Sequence, residues 1–182
     1  MNSATRLLQD WLPFFTTLTV ACATLAGLLF VALSLHAAVL RNSQNSNLRR
    51  LASLTFGNFV TIMFIGLFFI APWPSIYYVA TGVGITVTIA GIHTAQSWLE
   101  ILRDRESMQH RKYFIARLRL TSIALLLLFS GTALIFLVDI ESAGFRNIIL
   151  MIFGGSVMML VSAMKNTWYL LAHELNNQGN AA

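Results

Sequence analysis

Apolar residues in this chain fall into five long runs, at about 13–40, 51–71, 75–102, 118–138 and 147–171. Each holds the roughly 20 apolar residues that a helix needs to cross a hydrocarbon core ~30 Å thick. Lipid offers no partner to backbone N–H and C=O groups, so only helices and closed barrels span it. Barrel strands alternate apolar with polar positions, and an unbroken run such as Leu125-Leu126-Leu127-Leu128 does not. The pattern therefore predicts an all-α integral membrane protein: a single bundle of five transmembrane helices over 1–175, followed by a disordered polar tail at 176–182.

Local punctuation agrees with these bounds. Pro72 and Pro74 disfavour helical geometry just before them and end the second run, and Ser75 is placed to cap the third. Asn45, Ser46 and Asn47 offer caps for the second helix. Leu7, Leu8, Trp11 and Leu12 predict a short interfacial helix ahead of Pro13. The 28 positions of the first and third runs amount to ~42 Å of helix, which demands tilt or protrusion. If the third and fourth helices protrude, residues 98–119 become a charged helical hairpin.

Composition narrows the class. With 57% hydrophobic and 10% charged residues, a soluble domain of this size has too little polar surface. The net charge of +5 is no sign of nucleic acid, because the cations sit in short connections between runs. Arg41, Arg49 and Arg50 lie in the first connection; Arg103, Arg105, Arg111, Lys112, Arg117 and Arg119 in the third. The second, Ala71-Pro72-Trp73-Pro74, is uncharged, and the fourth holds Asp139, Glu141 and Arg146. Basic connections stay cytoplasmic, so the expected orientation is N-terminus outside and C-terminus inside. The expected location is the cell membrane, the inner one in a Gram-negative bacterium. Trp11, Trp73, Tyr77 and Tyr78 then fall at the outer interface, and Trp98, Trp168 and Tyr169 at the inner one.

No metal-ligand motif, phosphate loop or nucleophile signature is present, so no catalytic residue is assigned. The lone Cys22 reads as packing. Polar side chains inside the runs are costly in a membrane and serve as the functional candidates. On the third run Thr86, Ala90, His93, Ser97 and Glu100 recur at helical spacing, with Gln96 beside them. On the fifth, Ser162, Lys165, Asn166, Tyr169 and His173 share one broad face. His36 and Asn58 occupy similar depth on the first and second. The fourth, rich in Leu, offers only Ser130 and Thr132 and is expected to face lipid. Gly82 and Gly84, Ala23 with Gly27, and Gly154 with Gly155 read as sites of close helix approach.

These residues predict a polar vestibule in the cytoplasmic half, built from His36, Asn58, Thr86, His93, Gln96, Glu100, Ser162, Asn166 and His173. The leading functional reading is a homo-oligomeric channel or small transporter for an ion or proton. Several copies would enclose a pore lined by the third helix, with His93 as a proton-sensitive gate, since histidine changes charge near neutral pH. A second reading places a haem or metal between His36 and His93 in an electron-transfer or catalytic protein; no cofactor is required by the first. A third is a structural or regulatory subunit whose polar residues fix contacts with a partner protein.

Overall fold

The computed structural model describes residues 3–35, 46–103, 108–137 and 144–179. They form five helices: α1 Ser3–Leu35, α2 Ser46–Ile70, α3 Ile76–Arg103, α4 Met108–Ile135 and α5 Gly144–Gly179. Among the described residues there is no strand. All five are long and apolar enough to cross a membrane, over Gln9–Leu35, Arg49–Ile70, Ile76–Glu100, Leu118–Ile135 and Gly144–Leu170, which suggests a multi-pass membrane protein.

Several ends differ from the apolar runs. α1 passes through Pro13 without a break, so no separate helix precedes it; Pro13 simply lacks the N–H that would reach the Gln9 carbonyl. α3 continues to Arg103 and α4 starts at Met108, so Arg103, Arg111, Lys112, Arg117 and Arg119 lie on helices rather than in a long loop. α5 extends to Gly179, beyond Asn176, where the polar tail was expected to begin.

The turn between α2 and α3 shows how residue chemistry sets an end. The Phe68 carbonyl would ordinarily accept from residue 72, but that residue is proline and has no N–H. The Trp73 indole Nε1 donates to it instead, at 3.0 Å. Ser75 then caps α3, its Oγ accepting from the Tyr77 N–H at 3.4 Å.

Helices α2, α3, α4 and α5 form a ring in which each packs on the next and α5 closes on α2; the diagonal pairs do not pack directly. α1 lies outside this ring, mainly against α2 and at its edge against α5. The core is continuous through Phe15, Phe59, Ile62, Ile65, Val83, Leu128, Ile152 and Met159. Near the Pro-Trp-Pro turn, rings fasten α1 to its neighbours: Phe15 stacks on Phe69 with centroids 4.0 Å apart, and Trp11 and Phe14 meet Phe153 at 5.1 and 4.6 Å.

The expectation that α4 mainly faces lipid is corrected. Leu118, Thr121, Ala124, Leu125, Leu128, Thr132 and Ile135 are all buried. Its Leu-rich stretch does leave Leu126 and Phe129 exposed, but Ala124 and Gly131 on the opposite face let α5 come close.

Small residues decide which pairs come closest. A Cβ at Gly66 would fall on the Thr19 Oγ1 and the Phe15 carbonyl of α1, and one at Gly155 would lie 2.8 Å from Leu128 Cγ and 3.1 Å from the Ala124 carbonyl. A Cβ at Gly82 would meet the Phe68 ring, whereas Gly27 and Gly154 face open space and Gly84 has only an ordinary contact. Gly66 and Gly131, which make close contacts with α1 and α5, were not among the glycines singled out in the sequence.

Gly155→Ala should therefore lower stability by about 1–3 kcal/mol through overpacking against α4. The adjacent Gly154→Ala should be neutral or stabilising by up to ~1 kcal/mol, since alanine is the better helix former. Thermal unfolding in detergent reads both; equal losses would contradict the α4–α5 register.

Candidate functional site

Eight Ser or Thr side chains are buried among the described residues. A hydroxyl inside a helix ordinarily satisfies itself on the carbonyl four residues back. Thr19, Thr55, Thr61, Thr94, Thr132 and Ser156 do this, at 2.6–2.9 Å. Thr121 and Ser162 do not. Their hydroxyls meet each other across the α4–α5 contact at 2.9 Å, and Thr121 Oγ1 also accepts from Asn58 Nδ2 of α2 at 3.3 Å.

One turn beyond Ser162 on the same face of α5 stands Asn166, whose Oδ1 is buried and has no hydrogen-bond partner among the described residues. Asn58, Thr121, Ser162 and Asn166 are at most 4% exposed. They form a polar centre inside the ring, in the half nearer the basic connections. No ionisable side chain is among the buried polar groups described.

Buttresses surround this centre. Trp98 Nε1 of α3 donates to Ser122 Oγ of α4 at 3.0 Å, beside Thr121. Arg50 Nε of α2 and Glu100 Oε2 of α3 pair at 3.2 Å with both side chains partly open to solvent; such a pair orients two helices more than it stabilises them. Leu51 and Leu118 are buried between the centre and the basic end.

The candidates from the sequence thus separate into two groups. Asn58, Ser162 and Asn166 come together inside the ring. His93, Gln96 and Glu100 lie exposed on the outer side of α3, next to Ile89, Ile92 and Leu99, which are exposed as well. Thr86, at the margin, donates to the Gly82 carbonyl at 2.9 Å, and Ser97 to the His93 carbonyl at 3.1 Å. His36 lies outside the described residues; His173 falls on α5, with its side chain outside them. α1 and α3 do not pack on each other. Among the described residues no three His, Cys, Asp or Glu side chains converge on a metal-sized site.

The centre also contains a residue that sequence reading missed. Thr121 opens a Leu-rich stretch and looks like helix-end solvation. The available signal was its spacing: with Leu118, Leu125 and Leu128 it occupies one face at intervals of three and four.

Thr121→Val keeps the shape and removes the hydroxyl, so Asn58 Nδ2 and Ser162 lose their partner. An unsatisfied buried group costs about 1–3 kcal/mol, and the melting temperature should fall accordingly, while Thr121→Ser retains most of it. The same change at Thr132, whose hydroxyl serves only its own helix, should be much milder. A comparable loss at both positions would remove the special status of Thr121.

No protein-family model, curated protein or solved structure matches the chain.

Proposed function

We propose that the protein is a multi-pass membrane protein with its N-terminus outside and its C-terminus in the cytoplasm, acting as a homo-oligomeric channel or small transporter for an ion or proton. The orientation rests on the Arg-rich first and third connections set against the nearly uncharged second and fourth. In a bacterium the host membrane is the cytoplasmic one.

The observation that carries the transport reading is the outward position of His93, Gln96 and Glu100 on α3. The ring's own interior is packed with Phe59, Ile62, Ile65, Leu128 and Met159, and its buried polar groups are neutral. A conduit for charge is therefore better placed between copies than through one copy. Polar side chains at membrane depth are costly against lipid, and a neighbouring copy covering α3 relieves that cost while lining a shared path. His93 then stands about seven residues, or ~10 Å of helix, deeper than the Glu100 level. Glu100, already paired with Arg50, marks the inner mouth.

Ion and proton flux into proteoliposomes, measured at several pH values, tests this. Wild-type protein should raise flux above empty vesicles, and His93→Ala should change it by ~10-fold, equivalent to ~1.4 kcal/mol in a barrier, and alter its pH dependence. A His93→Cys variant on a Cys22→Ala background should cross-link between copies. Flux with no His93 dependence would sink the role given to this stripe. Intact, oriented protein with no flux would favour a regulatory or partner-binding subunit.

A further inference from the structure

The outward stripe leaves the buried centre unexplained, and its hydrogen-bond inventory is uneven. Thr121 and Ser162 own two hydroxyl hydrogens. One is spent between them, and the lone pair that Thr121 offers to Asn58 uses none. One hydroxyl hydrogen is left at the Thr121–Ser162 pair. Next to it stands Asn166 Oδ1, an acceptor with no partner among the described residues, on a residue only 3% exposed. Residues four apart on a helix are neighbours on one face, which puts the Ser162 hydroxyl, one member of the pair, beside Asn166 on α5.

We infer that the centre between α2, α4 and α5 is a binding site for a small neutral molecule carrying both a hydrogen-bond donor and an acceptor, of the amide or alcohol class. Asn166 Oδ1 accepts from the ligand's N–H or O–H, and the Thr121–Ser162 pair donates to its oxygen. Asn58 holds Thr121 in place from the far side of the ring. A buried acceptor without a partner is expensive to leave so, and a ligand of this kind satisfies it.

Charge selects against other classes. A cation entering here sheds its water with no carboxylate among the buried polar groups described. Arg119 and Lys165, the described charges nearest in sequence to Thr121 and Asn166, are both exposed. An anion meets the Asn166 amide oxygen and only neutral donors, a hydroxyl and side-chain amide N–H groups, with no cation among the buried polar groups described. Leu51 and Leu118 close the side facing the basic connections, so entry requires the helices to part there, where the Arg50–Glu100 pair ties α2 to α3. The site is distinct from the α3 stripe, and neither depends on the other.

The test is saturation-transfer NMR on the full chain in detergent micelles, read at the methyl groups of three probes that differ in charge: acetamide, methylammonium and acetate. Acetamide should receive saturation from wild-type protein. Asn166→Leu, similar in size, should reduce that transfer to the level of protein-free micelles, and Ser162→Ala should reduce it severalfold. Methylammonium and acetate should stay at background. Should Asn166→Leu fail to melt cooperatively, Ser162→Ala carries the comparison alone. Acetamide at background with wild type, meaning a centre that holds water only, overturns the assignment. So does acetamide transfer unaffected by the variants, or an Asn166-dependent signal from methylammonium, which makes the site cationic.

Discussion

Across the ring from one another, α2 and α4 do not pack directly, yet Asn58 reaches over to Thr121, and Thr121 in turn meets Ser162 of α5. The hydrophobic effect is non-directional, so burial of a Leu or Ile face alone constrains register weakly. A side-chain hydrogen bond in a dry interior constrains it strongly, since a shift of one residue leaves a polar atom stranded. Three helices are thus held in one register by two contacts. The neighbouring Trp98–Ser122 bond and Arg50–Glu100 pair bring in α3 at the same level.

The two ends of the bundle are built on different principles. Near the Pro-Trp-Pro turn, Phe15, Phe69, Phe14, Trp11 and Phe153 interlock as rings, and Gly66 allows α1 to close on α2. Toward the basic connections, aromatic packing gives way to hydroxyls, amides and an ion pair. A half filled by interlocked rings and a half held by polar contacts, with one buried acceptor that has no partner among the described residues, form an asymmetric bundle.

Much of this could be read from the sequence. Periodicity and length placed the five helices, because twenty apolar residues in a row leave few alternatives, and the Pro72 and Ser75 boundaries follow from backbone chemistry alone. Asn58, Ser162 and Asn166 stood out because an amide or hydroxyl inside an apolar run has few innocuous explanations. The direction in which each polar face points was less legible. His93 and Asn58 have the same kind of apolar neighbours in sequence, yet one is exposed and the other buried. Which side of α3 meets α4 is set by partners far away in the chain. Gly154 and Gly155 make the same point at single-residue scale: only register decides that one touches Leu128. Thr121 was lost for a related reason, since it matters only through what α2 and α5 bring to it.

The most direct test of the cross-ring link is a double-mutant cycle between Asn58→Leu and Thr121→Val, with stability measured by reversible unfolding in detergent. Interhelical hydrogen bonds in membrane proteins couple by about 0.6–1.7 kcal/mol, and a coupling in that range, with the double variant losing less than the sum of the singles, is the predicted result. Additivity within ~0.3 kcal/mol, the behaviour of independent sites, would mean that α2 and α4 are not joined through this pair and that the polar centre does not set the register of the bundle.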